Sequence, residues 1–343
     1  MPRIPLTRIA AFSPFPEYLV KNGCNVARHL SAFGIAPESL ASEESLVPLR
    51  LACEFIEQVS RSEGIDRIGL EVGSGVSILE VGLFGKVLSQ SLTLNDLIQK
   101  FIRWIPFVDS GVRVWMEPSD KDPGSVRLCM RHEIDIGRAQ VDAYGLLILI
   151  DTVRLAAGPE WKPKRASLDR GLGDVSGYEA LSEAAITRTT NHVAVEFHTD
   201  SLGLPVARNG LAASLPDEVL KVASPSEDLI ESVCQTIEAG FGIRMPMIND
   251  VAEMAAISVS TLQRRLGKEG ITFQDLLDRV RFQRASALLE AESPHVSDIA
   301  WFLGYSNPAN FAHAFRRWTG TSPSHYRMTK IRGECLSRTS PTP

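Results

Sequence analysis

The 343-residue sequence lacks any apolar run approaching the ~18 residues a membrane-spanning helix needs; its best candidate, Gly145–Ile150, is far too short. Arg3 and Arg8 are not followed by a continuous apolar stretch, so a secretion signal is not expected and the cytoplasm is the expected compartment. Cysteines are scarce and scattered. Cys24, Cys53, Cys129, Cys234 and Cys335 are odd in number and form no C-x-x-C pair, which argues against both a disulfide framework and a zinc site. Loops that hold cofactors are missing as well. Gly73-Ser74-Gly75 lacks the third glycine of a dinucleotide loop, and neither a P-loop lysine pattern nor a G-x-S-x-G nucleophile elbow occurs. His192 and His198 could share a strand face, but without a third ligand they make a poor metal site. The paired carboxylates Glu43-Glu44 lie in a polar stretch expected to be exposed. These absences exclude most enzyme classes and leave no metal and no cofactor expected.

What is present is enough for two domains. The net charge of −5 is unevenly spread: from Phe241 to Pro343 there are 13 Lys+Arg against 9 Asp+Glu, or +4, which leaves −9 for residues 1–240. A basic C-terminal part on an acidic chain fits one end meeting a polyanion. Residues 1–60 read as helical, with Leu19, Val20, Val26, Leu30 and Phe33 at helical spacing and Leu46–Val59 repeating the pattern. Thr93 with Asp96 forms a capping pair ahead of the stripe Leu94, Leu97, Ile98, Phe101 and Ile102. The period then drops to two. Val112, Val114 and Met116, then Val126, Leu128 and Met130, alternate with polar residues around the turn-like Ser119–Gly124, the pattern of a hairpin. A helix over Ala139–Ala157 is stopped by Gly158-Pro159, and Val193, Val195 and Phe197 predict another strand. Arg208–Ser226, with Gly210, Pro216 and Pro225, reads as a linker. Beyond it only helices are expected, ending in a polar tail from about residue 331.

Two helix–turn–helix patterns lie in that C-terminal segment. In the first, Asp250–Ala256 turns Val251, Ala252 and Ala255 inward, a turn follows, and Ser260–Lys268 packs through Leu262 and Leu266. In the second, Ser297–Leu303 is followed by Gly304, Asn307 caps the next helix, and Phe311, Phe315 and Trp318 form its buried stripe at i, i+4, i+7. Gly320 ends that helix and Pro323 is expected to prevent its resumption. A joining helix over Phe273–Glu290 spans ~27 Å at ~1.5 Å per residue, so with the small units at its ends the two second helices could sit about one DNA turn, ~34 Å, apart.

The segment Ile299-Ala300-Trp301-Phe302-Leu303-Gly304-Tyr305-Ser306, Asn310-Phe311, Phe315-Arg316-Arg317-Trp318, Gly320-Thr321-Ser322-Pro323 and His325-Tyr326-Arg327 resembles the AraC/XylS family signature. Ser260-Thr261-Leu262-Gln263-Arg264-Arg265-Leu266 and Gly270-Ile271-Thr272-Phe273 match its first unit. The resemblance implies a bipartite DNA-binding domain in a transcription regulator. It assigns base reading to Ser260, Thr261, Gln263 and Arg264 in the first unit and to Ala309, Asn310 and His313, beside the cap Asn307, in the second. Arg265, Lys268, Arg316, Arg317 and Arg327 are then better placed for phosphates. The residue types suit these roles, because Arg can pair bidentately with guanine and Asn or Gln with adenine, while phosphate contacts hold register without reading sequence. On isolated helices such charges would be no more than a solvated face.

Gly82-Leu83-Phe84-Gly85, Ser91-Leu92-Thr93-Leu94, Phe197 and Leu202-Gly203-Leu204-Pro205 resemble the arabinose-binding-domain-like sensory domain of one branch of this family. The expected fold is α+β: a mixed α/β sensory and dimerisation domain over 1–207, a linker over 208–225, an all-α DNA-binding domain over 226–330 and a tail over 331–343. Expected partners are double-stranded promoter DNA, RNA polymerase, a small-molecule effector and a second copy of the chain, with no membrane. Phe101, Trp104, Phe107 and Trp115 could line an effector cavity, although aromatics at such spacing are more often ordinary core; Arg50 and His29 could hold an acidic group, although surface placement suits both. Two alternatives stand beside this reading. One is a regulator without a ligand, controlled by abundance or a protein partner. The other is a DNA-repair alkyl transferase fused to this DNA-binding type, for which no activated-cysteine setting is visible.

Overall fold

The computed structural model describes residues 3–35, 37–172, 174–175, 177–189, 192–207, 224–241, 244–291 and 294–338, with the side chains of 331–338 left aside. Most of the expected linker, 208–223, therefore lies outside the described residues. The chain divides into two compact units, one of residues 5–33 and 37–227, the other of 228–343 together with 1–4 and 34–36.

The first unit begins with β1 (Leu6–Arg8), α1 (Ile9–Phe12), α2 (Pro14–Lys21) and α3 (Val26–Ala32), then β2 (Leu46–Pro48), α4 (Leu49–Ser62), α5 (Ile68–Gly73), α6 (Gly82–Leu88) and α7 (Leu94–Trp104). The all-helical expectation for residues 1–60 needs correction: β1 and β2 pair antiparallel, Leu6 opposite Pro48. Three-residue strands are too short to show a period, and every residue of β1 is buried. Val20, expected inside, is 64% exposed. The Thr93 cap forms as expected, its hydroxyl accepting the Asp96 N–H at 3.2 Å while the Asp96 carboxylate accepts the Leu92 N–H at 2.9 Å.

The hairpin β3 (Val112–Pro118) and β4 (Ser125–His132) follows, then the twenty-residue α8 (Arg138–Ala157), β5 (Arg165–Asp169), β6 (Ala185–Thr189) and β7 (Val193–His198). The sheet runs β3-β4-β7-β5-β6 and is antiparallel except for the parallel β5–β6 pair. Its register sets Val114 opposite Met130 and Leu128 opposite Val195, so one face is apolar. Helix α8 packs across β4, β7 and β5 and beneath α5 and α7. It is buried on nearly all sides, from Val141 through Leu146 and Leu149 to Val153, as expected of a helix sandwiched between layers. The two distant segments of the sensory-domain resemblance meet: the Leu94 N–H donates to the Leu204 carbonyl and the Val206 N–H to that of Leu92.

Among its described residues the second unit holds helices joined by turns and no strand: α9 (Leu229–Ala239), α10 (Ile248–Met254), α11 (Val259–Lys268), α12 (Phe273–Glu290), α13 (Val296–Phe302), α14 (Pro308–Thr319) and α15 (Pro323–Arg338). The long α12 carries α9, α13 and α15 against it. Its start is set by a capping box in which Thr272 and Asp275 satisfy each other's backbone N–H groups, and these bonds hold the Asp275 carboxyl below its usual range.

Candidate nucleic-acid interface

Each helix–turn–helix unit is a short packed helix, a tight turn and a second helix with one bare face. In the first, Val251, Ala252 and Ala255 meet Leu262 and Leu266, all five nearly fully buried. The turn runs through Ala256 at φ +52°, and the Ile257 N–H returns to the Ala252 carbonyl at 3.0 Å. Ser258 caps α11, accepting the Thr261 N–H at 3.2 Å, and α11 starts at Val259, one residue earlier than the spacing predicts. With Leu262 and Leu266 turned inward, Ser260, Gln263, Arg264 and Lys268 are exposed and Thr261 and Arg265 are half-buried.

The second unit repeats the scheme with other residues. Ile299, Ala300 and Leu303 face inward, Gly304 turns at φ +78°, and the Tyr305 N–H donates to the Ala300 carbonyl at 3.0 Å. Asn307 accepts the Ala309 N–H at 2.7 Å and Pro308 opens α14, where its missing N–H costs nothing. The Phe315 ring lies 5.7 Å from Phe311, 6.1 Å from Phe282, 6.2 Å from Trp318 and 5.3 Å from Tyr326. That aromatic knot fixes the orientation of α14 on α12 and α15. Asn307, Ala309, Asn310, His313, Arg316 and Arg317 remain exposed.

The basic residues fall into two groups. Among the described residues, Arg264, Arg265, Lys268 and Arg316 make no ion pair, leaving four cations for a polyanion. Arg317 is paired with Asp278 of α12 at 2.5 Å. Arg327, expected at a phosphate, is committed elsewhere: its guanidinium donates to the Leu289 and Pro294 carbonyls at 3.3 and 2.6 Å, closing the end of α12 onto the start of α13. Arg281, not singled out from sequence, donates to the Leu303 carbonyl at 3.1 Å and stacks 4.5 Å from the Tyr305 ring centre. Pro323 also departs from expectation. It opens α15 instead of preventing a helix, and α15 continues to Arg338, past the point where a polar tail was expected.

In the first unit, most of the aromatic candidates for a cavity are spent otherwise. Phe101 lines one, but Trp104 is buried core against Phe107, and Trp115 donates to Glu117 on the sheet. Arg50 pairs with Glu54, and His29 lies 2.6 Å from Glu63. Glu117, Cys129 and His192 bring potential ligand atoms within 4.8 Å of one another, yet the Arg127 guanidinium bonds both Glu117 and His192, at 3.0 and 3.1 Å. A cation already sits there, and the cluster is an ion-pair network. Thiol activation finds no support in Cys24, Cys53, Cys129 or Cys234: burial raises each one's pKa, that of Cys129 to about 12, the reverse of an activated nucleophile.

Comparison with known proteins agrees with this anatomy. Residues 251–329 match the model of a helix-turn-helix domain, and residues 23–206 that of the arabinose-binding domain of AraC transcription regulator, N-terminal. The chain is 24% identical over 293 residues to the HTH-type transcriptional regulator VqsM of Pseudomonas aeruginosa, covering 79% of this chain and 90% of that one. It is 26% identical over 338 residues to an HTH-type transcriptional regulator of Mycobacterium tuberculosis, covering 91% and 95%. Among solved structures it is similar to the transcriptional regulator CdpR from Pseudomonas aeruginosa, at 22% identity, 93% and 98% coverage and a TM-score of 0.43. No described helix is long and apolar enough to cross a membrane. The arabinose-binding-domain match alone spans more than half of the chain, and with the helix-turn-helix match behind it the protein belongs to the AraC family of DNA-binding transcription regulators.

Proposed function

We propose that α11 and α14 read two successive major grooves on one side of promoter DNA. The observation that carries this is the pair of bare polar faces, Ser260, Thr261, Gln263 and Arg264 on one helix and Asn307, Ala309, Asn310 and His313 on the other, in units joined by the eighteen-residue α12. An α12 of ~27 Å, extended by the units at its ends, suits grooves one turn apart. Arg265, Lys268 and Arg316 hold phosphates and set register, and Arg317 joins them by exchanging Asp278 for a phosphate. Residues 226–330 are the DNA-binding domain and residues 1–207 the regulatory one, joined by a linker over 208–225. The regulatory domain binds a small-molecule effector and pairs two copies of the chain, and the promoter-bound protein positions RNA polymerase. The effector acts by binding one arrangement of the two domains better than the other, since equal affinity would shift nothing.

The test is genome-wide capture of DNA fragments on the purified full-length protein at controlled salt. A recurring motif with two half-sites about one turn apart is expected. Motif-free binding that salt abolishes would overturn the bipartite reading.

A further inference from the structure

A cavity of about 90 Å³ opens within the N-terminal unit among α1, α4, α7, α8 and the β3–β4 hairpin. That is several times the ~10–15 Å³ a single water needs, which leaves room for a small organic molecule. Its wall is mostly apolar and aromatic, including Phe12, Phe15, Phe84, Phe101 and Ile148. The side chains with oxygen or nitrogen atoms on that wall are Thr7, Asp109, His132 and Tyr144, with neither lysine nor arginine among them.

The charges behind the wall decide what it accepts. His132 Nδ1 is 2.9 Å from Asp142, and Arg138 Nε donates to the other oxygen of Asp142 at 3.4 Å, so Asp142 has its counter-ion. The Asp109 carboxyl accepts the Gly111 N–H at 2.9 Å and a bond from the Thr7 side chain. Burial pushes Asp109 towards its neutral form, opposed by the charge of His132. A charged ligand would enter an apolar wall that has neither lysine nor arginine to balance an anion and whose one carboxyl is pushed by burial towards its neutral form. A pentose would bring several hydroxyls to a wall that can satisfy few of them, and each left unpaired is unfavourable.

We propose that this cavity binds a neutral, largely apolar small molecule bearing one hydroxyl or carbonyl group, and takes neither sugars nor carboxylates. The apolar body lies on the phenylalanine wall and the polar group meets Asp109 and His132. This rests on the effector reading of the N-terminal domain given above and names its ligand class.

The experiment uses the full-length chain and four probe sets: n-alkanols of six to ten carbons, the matching alkanoates, the matching alkylammonium salts, and L-arabinose. Alkanols are expected to raise Tm saturably by roughly 4–8 °C near a hundredfold excess over Kd. Ala52→Phe, which fills the cavity from its wall, should abolish the rise; Ala11→Leu serves the same purpose from α1 if the first variant misfolds. Promoter-fragment affinity is measured in parallel, with and without the small-molecule fraction of a host lysate. A rise in Tm with alkanoates, alkylammonium ions or arabinose, but not with alkanols, overturns the ligand class and leaves effector control standing. No rise with any probe set, while DNA affinity still responds to the lysate fraction in Ala52→Phe, overturns the cavity as the site. Neither response overturns effector control itself.

Discussion

The two helix–turn–helix units share one backbone scheme and build it from different materials. Each turns through a residue at positive φ, and each returns the next N–H to the fifth residue back, Ile257 to Ala252 and Tyr305 to Ala300. The second unit uses Gly304 at its turn and phenylalanines at 311 and 315 beneath its reading helix. The first uses Ala256 and the smaller Leu262 and Leu266. An L-residue in the left-handed region is strained by about 1–2 kcal/mol, so the first unit holds its turn against a bias that the second avoids. The difference separates what the reader requires, the hydrogen-bond scheme and the bare face, from what it merely tolerates, the filling.

Removing the filling tests the contrast hardest. Phe315→Ala should lose about 3–5 kcal/mol of stability, because the ring touches four other aromatics. Leu266→Ala should lose less, and urea denaturation of the full-length chain compares them. Equal losses would mean that the aromatic knot adds nothing beyond buried area. Next come the bare faces. Arg264→Ala should weaken binding to the cognate site by about 1–3 kcal/mol and relax discrimination at one base. Arg316→Ala should weaken cognate and random DNA alike and reduce the salt slope by about one; fluorescence anisotropy across a salt series reads both. If Arg264→Ala behaves like Arg316→Ala, it belongs with the phosphate contacts. The turns give smaller effects of opposite sign. Gly304→Ala should destabilise by about 1–2 kcal/mol or more, since the new Cβ would also stand 2.7 Å from Met245 Cγ. Ala256→Gly should stabilise by about 0.5–1 kcal/mol, measured by thermal melts of the two variants. A loss of stability at position 256 would show that its Cβ packs well enough to outweigh the strain.

Legibility in the sequence followed period and signature. The hairpin, α8, α12 and both short-helix pairs were readable because their buried residues recur over many turns or alternations. Strands β1 and β2 were not, since three residues carry no period, and β5 and β6 pair parallel through a crossover that only tertiary structure reveals. The bare faces of α11 and α14 could be listed because Leu262, Leu266, Phe311 and Phe315 point to the opposite side. Arg327 was misassigned because an arginine bonding two carbonyls looks the same in sequence as one left for phosphate. The cavity was missed for a related reason. Asp109, His132 and Tyr144 come from three separate elements and form no motif, whereas the aromatics that drew notice, Trp104 and Trp115, are core and sheet face.

Helix α12 also makes the chain intolerant of a change in length at its middle. One inserted residue would rotate everything beyond it by about 100° and advance it by ~1.5 Å, turning the bare face of α14 away from the groove proposed for it. Seven residues, about two full turns, would nearly restore the angle yet shift the face by ~10.5 Å, about three base pairs along the groove. No insertion keeps both phase and distance, so under the proposed two-groove reading new target sites would be reached by exchanging side chains on α11 and α14, with the span between them a fixed gauge.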